Sequence, residues 1–158
     1  MIDLARLNNA TFSFNNNLDA SNSLSFNSVN EFKNYLDETK GTETFELSYI
    51  QQNPNEKLSI AKLDISIFFD LSIRVKQELD PYKFLNVTSD IEGMTLGRHW
   101  NQKEFSVSID ENIVTIDIIG MLSVSVTQGG VGTIFEKERH FRLKINKLTG
   151  QIFGTYIL

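Results

Sequence analysis

Few side chains of this chain have the types and spacing that enzyme or metal chemistry requires. The chain contains no cysteine, which excludes disulfides, thiolate metal ligands and cysteine nucleophiles together. His99 and His140 lie far apart along the sequence, and no Gly-x-Ser-x-Gly segment is present to hold a serine nucleophile. We therefore expect a protein that is not an enzyme and that needs neither a cofactor nor a metal.

Two further groups of residues invite a chemical interpretation. Asp110, Glu111 and Asp117 are close in sequence, but the first two fit a turn and Asp117 fits the wet face of a strand. The glycine-rich segment 129–132 lacks the Gly-Lys-Ser/Thr of a phosphate-binding loop, and the sequence on both sides of it is typical of strands. We expect this segment to be the tip of a β-hairpin.

The run Gly97-Arg98-His99-Trp100 contains the single tryptophan of the chain. Tryptophan and arginine are enriched at the centres of protein interfaces, so Trp100 is a candidate contact for a protein partner. The alternative is a loop in which Trp100 plugs the open end of a sheet while Arg98 and His99 are solvated.

The net charge of −5 is concentrated in the first third of the chain. Residues 1–56 carry eight acidic and three basic side chains, and residues 57–158 carry twelve of each. Nucleic-acid binding requires a basic surface, so we expect no nucleic-acid partner. A basic protein partner fits better, and the alternative is an acidic face that is merely solvated. The candidate contacts, on a predicted helix end and the start of the next strand, are Asp37, Glu38, Glu43 and Glu46.

One helix is predicted from Val29 to Lys40. Ser28 is a favourable N-cap, and Glu31 three residues later completes a capping box by reaching back to the Ser28 backbone N–H. Apolar residues recur on one face at helical spacing, and Gly41 can take the left-handed conformation that ends a helix.

The rest of the chain alternates between apolar and polar residues, which is typical of strands. Strands are predicted at Leu63–Val75, Val114–Val126 and Thr133–Ile145, and shorter ones at 11–14, 23–26, 44–50, 105–109 and 151–157. Asp80-Pro81 is predicted to open a short helix through Leu85, and the alternative is a turn. The two N-terminal strands are expected to be joined by an Asn-rich turn. Gly120, on the apolar face of its strand, can bend the sheet or receive another side chain.

These elements predict an α+β fold: a long, strongly curved antiparallel sheet, a partial barrel of about six to eight strands, with one main helix. Strands of 13 or 14 residues span about 45 Å, and sheets of that length coil. Residues 1–158 are expected to form a single domain. No apolar run approaches the ~20 residues that cross a bilayer, and no signal peptide is recognisable, so a cytoplasmic location is favoured for this sequence.

Lys137 and Arg139 interrupt an otherwise apolar face of the strand that includes Phe135 and Phe141. Two unpaired cations in a dry core would be prohibitive. We predict that this end of the hairpin overhangs the core, with both side chains solvated or facing acids such as Glu104 or Asp117. The alternative is that both bases line a cavity.

The segment Ile116–Ile157 consists of a long strand, a glycine-containing tip, a charged and aromatic return strand, a Thr-Gly turn and a last strand. It resembles the closing strands of cystatin-like and NTF2-like curved-sheet domains, which include assembly proteins of type IV secretion. Those domains usually place several helices before the sheet, whereas this chain has strand-type sequence there. The resemblance implies a curved sheet that can enclose a ligand.

Two classes of function follow. The first is a protein-binding protein, by analogy an immunity-type inhibitor that neutralises a basic toxin or effector through its acidic surface. The second is a small-molecule-binding domain, in which Lys137, Arg139 and Trp100 supply the polar groups of a pocket for an apolar or anionic molecule. A structural subunit of a secretion or envelope assembly is a third possibility.

Overall fold

A computed structural model describes residues 6, 10–14, 23–40, 45–53, 56–66, 69–79, 82–128, 131–149 and 152–157. The described strands are β1 (Thr11–Phe14), β2 (Leu24–Ser25), β3 (Phe45–Asn53), β4 (Glu56–Ser66), β5 (Phe69–Leu79), β6 (Tyr82–Gly93), β7 (Arg98–Asp110), β8 (Ile113–Gln128), β9 (Val131–Asn146) and β10 (Ile152–Ile157). Helix α1 covers Val29–Glu38. No helix within the described part of the chain is long and apolar enough to cross a membrane.

The hairpin of β8 and β9 is the axis of the first sheet. Both strands hold 16 residues, and they pair antiparallel from Ile113↔Asn146 to Gln128↔Val131. The free edge of β8 pairs with β7, which is antiparallel to it, and nearer the hairpin tip with β2, which is parallel to it. The free edge of β9 pairs with β10 near the base of the hairpin and with β1 nearer the tip, both antiparallel. The predicted N-terminal strands are therefore present, but they lie on opposite edges of this hairpin and do not pair with each other. The predicted Asn-rich turn between them falls outside the described residues.

The second sheet is an antiparallel meander of β3, β4, β5 and β6. The single strand predicted from Leu63 to Val75 is wrong, because the chain reverses between Ser66 and Phe69 and the two arms pair with each other. Leu63 opposes Leu71, so both arms keep their apolar residues at odd positions. Next to the chain reversal Ser66 opposes Phe69, which pairs an even position with an odd one. A register shift between Asp64 and Ser66 corrects this, so that from Asp64↔Asp70 onward even positions oppose even and odd oppose odd.

Two hydrophobic cores lie on one face of the β8–β9 hairpin. The base core joins the two sheets, and its buried members are Ala61, Leu63, Leu71, Ile73, Val75 and Val87 from the second sheet with Val114, Ile116, Ile118, Phe141, Leu143 and Ile145 from the hairpin. The tip core joins α1 to the other end of the hairpin through Phe32, Val124, Val126 and Phe135. The structure is therefore mostly β, with two sheets that do not close into a barrel, in place of the single partial barrel that the sequence predicted.

The predicted helix is confirmed, ending two residues earlier than expected. The Ser28 Oγ accepts a hydrogen bond from the Glu31 backbone N at 3.1 Å, as an N-cap does. The Glu31 carboxylate reaches back to the backbone N of Asn27, at 2.7 Å, instead of that of Ser28. At the other end the Thr39 N–H and hydroxyl both donate to the Tyr35 carbonyl. Gly41, the predicted terminator, lies outside the described residues.

Two other local predictions differ from the structure. Arg98, His99 and Trp100 begin strand β7 instead of forming a loop. Residues 82–85, predicted to belong to a short helix, are the start of β6. Both segments are irregular in sequence, and their pairing with long neighbouring strands decides their conformation. The tip residues 129–130 lie outside the described residues, although the pairing of β8 with β9 confirms the hairpin.

Candidate functional site

A cavity of about 470 Å³ lies on the hairpin face between the base core and the tip core. Two register pairs occupy this stretch of the hairpin, Gly120↔Arg139 and Leu122↔Lys137. Each pair contains a cation, which interrupts the apolar packing of this face, and the space over Gly120 is filled by the Trp100 ring. The floor and side of the cavity consist of Arg98, Leu122, Val124, Phe135, Lys137 and Arg139.

The opposite wall comes from the end of α1 and the end of β4. The helix contributes its last turn and the residues beyond it: Tyr35, Leu36, Asp37, Thr39 and Lys40. Strand β4 contributes Ile65 and Ser66. An isolated antiparallel bridge between Lys40 and Ser66 joins the two elements. The cavity therefore exists because the helix covers only the tip half of the hairpin and the second sheet covers only the base half.

The described lining residues carry four cationic side chains, Lys40, Arg98, Lys137 and Arg139, and one carboxylate, Asp37. Lys137 and Arg139 are half-buried. They are two residues apart on one strand, so their side chains point to the same face, about 7 Å from each other at their origins. The Arg139 guanidinium lies 5.5 Å from the centre of the Phe141 ring. The cavity wall is therefore predominantly positive over the part that the structure describes.

Arg98 is the most deeply buried of these cations, with 5% of its surface exposed. Its Nη1 donates to the carbonyl oxygens of Met94 and Leu96, both at 3.1 Å, and its guanidinium lies 5.5 Å above the Tyr35 ring. Burial lowers the pKa of Arg98 from its ordinary value, which leaves an arginine charged at neutral pH. These contacts hold a buried positive charge at the side of the cavity.

The predicted overhang of the hairpin is wrong. The tip half of β8 and β9 is covered by α1, and Lys137 and Arg139 lie between two cores instead of beyond one. Asp117 lies on the opposite face, where its carboxylate accepts from Arg142 Nε at 2.8 Å and lies 3.0 Å from His140 Nε2. Both cations line a cavity on the inner face, which was the alternative interpretation of the sequence.

Trp100 is on the inner face but does not line the cavity. Its ring lies against Gly120 and is 5.7 Å, centre to centre, from the Phe141 ring. Its Nε1 donates to the Ser89 hydroxyl at 2.8 Å, which links β7 to β6 across the two sheets. The prediction that Gly120 receives another side chain is confirmed.

The predicted acidic contacts are only partly described. Asp37 and Glu38 are exposed at the end of α1, and the Asp37 carboxylate lies 3.6 Å from the Lys33 amine. The backbone of Glu46 lies in β3, and Glu43 falls outside the described residues. The structure therefore brings Asp37 together with Lys137 and Arg139 around one cavity, and it places Trp100 elsewhere.

Sequence reasoning missed Arg98 and Lys40 as lining residues. Arg98 and Trp100 are two residues apart, so both side chains lie on the same face of a strand. A strand predicted to begin at residue 98 would have placed both on the inner face. Lys40 reaches the cavity only because the helix end meets β4, and no local pattern shows that long-range contact.

Among the described residues no group of three or more His, Cys, Asp or Glu side chains could hold a metal ion. The lining instead offers hydrogen-bond donors and positive charge beside apolar side chains, which suits reversible binding of a molecule. Comparison with known proteins adds nothing to this geometry: no family model, curated protein or solved structure matches the chain. The class defined by fold and site is a mostly β protein of two sheets with a cavity between two cores.

Proposed function

We propose that this protein binds a small organic molecule in the cavity between its base core and its tip core. The observation that carries the proposal is the interruption of a buried face: β8 and β9 pack apolar side chains at both ends, yet the middle of the same face stays open. Protein interiors are normally close-packed. The open stretch between the two packed cores reaches the surface beside the exposed Asp37 and Lys40, so a ligand can enter it from solution.

The dimensions and chemistry of the cavity support this function. Small-molecule sites typically measure about 300–1,000 Å³ and combine apolar walls with a few placed polar groups, and this cavity holds about 470 Å³. Leu122, Val124 and Ile65 supply apolar wall, and the tyrosine ring of residue 35 lies beside them. The cavity is bounded by the helix and by strands of both sheets, so a ligand would contact all three.

A cavity-filling substitution tests the proposal. Native mass spectrometry of freshly purified protein is expected to show a bound small molecule, and Leu122→Trp is expected to lose it because the indole occupies the cavity. Leu96→Trp is the matched control, since Leu96 is 49% exposed and lies outside the cavity lining. An unliganded mass, together with no binding of a panel of fluorescent amphiphiles by the wild-type protein, would contradict the proposal.

Protein binding through the acidic surface remains a second proposal, of an immunity-type inhibitor for a basic partner. Its support is the charge distribution of the sequence and the exposure of Asp37 and Glu38. A pull-down from the source lysate tests it: Asp37→Lys with Glu38→Lys is expected to weaken capture at low salt. Equal capture by the variant would remove this surface from consideration.

A further inference from the structure

The cationic residues of the cavity surround an apolar patch. Lys137 and Arg139 stand on β9, Arg98 stands on β7, and Leu122 and Val124 lie between them on β8. One wall of the cavity is therefore apolar in its middle and positive along both sides. A ligand that matches it combines an apolar body with an anionic group.

The buried positive charge of Arg98 attracts an anionic ligand more strongly than a neutral one. Its Nη1 is held by two backbone carbonyls and its guanidinium by an aromatic ring. It therefore stays at the side of the cavity whether or not a ligand is present. Arg98 is itself buried, and a buried charge is screened less than an exposed one, so an anion placed in this cavity gains from a charge that is already oriented.

Lys137 and Arg139 are suited to direct contact with the anionic group. Both are half-buried and line the cavity. The guanidinium can donate two parallel hydrogen bonds to a carboxylate or a phosphate, and the amine acts as a compact point charge. Both side chains leave the same face of β9 and line the same cavity.

We propose that the ligand is an amphipathic organic anion, with its carboxylate or phosphate group at Lys137 and Arg139 and its apolar body against Leu122 and Val124. This inference rests on the proposed function and names the ligand class of that site. Arg98 acts as a fixed positive charge and does not need to touch the ligand.

Titration calorimetry with three eight-carbon probes tests the inference: octanoate, octyl phosphate and the neutral octan-1-ol. We expect at least one of the two anions to bind about tenfold or more tightly than octan-1-ol, because a hydrogen bond to a charged group is stronger than one to a neutral hydroxyl. The comparison of octanoate with octyl phosphate shows which anionic group the site takes.

Charge-neutralising variants locate the contact. Lys137→Gln and Arg139→Gln are each expected to weaken binding of the preferred anion about tenfold, and to weaken binding of octan-1-ol by a smaller factor because its hydroxyl carries no charge. Lys144→Gln is the matched control, because it removes the same charge from the opposite face of β9. Loss of anion affinity in this control as large as in the other two variants would mean that only net charge matters, and would overturn the inference.

The remaining outcomes separate the inference from the proposed function. Equal binding of all three probes, abolished by Leu122→Trp, would overturn the anionic ligand class and leave the cavity as a binding site. Failure of every probe to bind wild-type protein would contradict the anionic class, and it would contradict the proposed function as well if the native mass spectrum also shows no ligand.

Discussion

The contact between Gly120 and Trp100 places the tryptophan ring over strand β8 on the inner face. A Cβ atom at Gly120 would collide with the Trp100 ring and lie 2.8 Å from the carbonyl oxygen of Asn101. The ring in turn bonds to Ser89 on the second sheet. The absence of one side chain therefore allows the tryptophan to join both sheets.

Gly120→Ala is expected to destabilise the protein by about 1–3 kcal/mol, the range for an extra methyl group in a well-packed core. Urea unfolding measures the loss. Trp100→Phe is the matched background, since a smaller ring leaves more room for the methyl group. The same loss from Gly120→Ala in both backgrounds would contradict the steric explanation.

Asp117 forms a charged cluster with Arg142 and His140 on the outer face of the hairpin. The hydrogen bond from Arg142 lowers the pKa of Asp117 below its ordinary value, against the opposing effect of partial burial, and the hydrogen bond with His140 lowers it further. A carboxyl whose pKa is depressed in the folded state stabilises the fold above its unfolded pKa of about 3.9. That contribution is lost as the pH falls through the lower, folded pKa.

We therefore expect Asp117→Asn to be less stable than wild type at pH 7, with a difference that shrinks below about pH 4. Urea unfolding at a series of pH values follows this difference. The double variant with Arg142→Gln is expected to lose less than the sum of the single variants, because each substitution breaks the same bond. A difference that grows on acidification would contradict the sign of the effect.

At the scale of elements, α1 shows how much the sequence determines when local and long-range requirements agree. Its N-cap, its first residue and its apolar face with Phe32 were predictable, because capping and helical periodicity are local properties, whereas its end lies two residues earlier than predicted. Its partner was not predictable. The ring of Phe32 lies 5.7 Å, centre to centre, from the ring of Phe135, about a hundred positions away in the sequence. A contact between residues so far apart cannot be predicted from local sequence patterns.

Ser28→Ala is expected to cost about 1 kcal/mol, since it removes the acceptor for the Glu31 backbone N–H. Thermal or urea unfolding measures the loss. Ser28→Asp is the control: its carboxylate can cap the same donor, so this variant is expected to retain most of the stability. Equal losses in the two variants would show that the cap does not act through this hydrogen bond.

Strands β4 and β5 show why the sequence did not reveal a turn. Apolar residues occupy every odd position from Leu63 to Val75, and Phe68 is the one apolar residue at an even position between them. Each arm of the hairpin keeps its apolar residues at odd positions because Leu63 opposes Leu71. No glycine, proline or asparagine marks residues 66–69. The alternation of apolar and polar residues identifies the buried face. It cannot locate a chain reversal when the apolar residues occupy odd positions both before and after it.

At the scale of the whole molecule, one hairpin face serves two separate cores. The base core requires the second sheet, the tip core requires the helix, and the cavity occupies the stretch that neither covers. The sequence contained one sign of this arrangement, the two cations on the inner face of β9. Their position was predictable from alternation, whereas the choice between an overhang and a cavity depended on where α1 would pack.

The most direct test of the central claim is a methyl-resolved NMR titration of the wild-type protein with the tighter-binding of the two anionic probes. The account predicts saturable shifts of the methyl groups of Leu36, Ile65, Leu122 and Val124, which line the cavity. The methyl signals of two residues outside the cavity are expected to keep their chemical shifts. These are Leu148, which is 78% exposed, and Val107, which packs against the base core. Saturable chemical-shift changes confined to residues outside the cavity would contradict the account. The absence of any change up to the highest soluble probe concentration would contradict it as well.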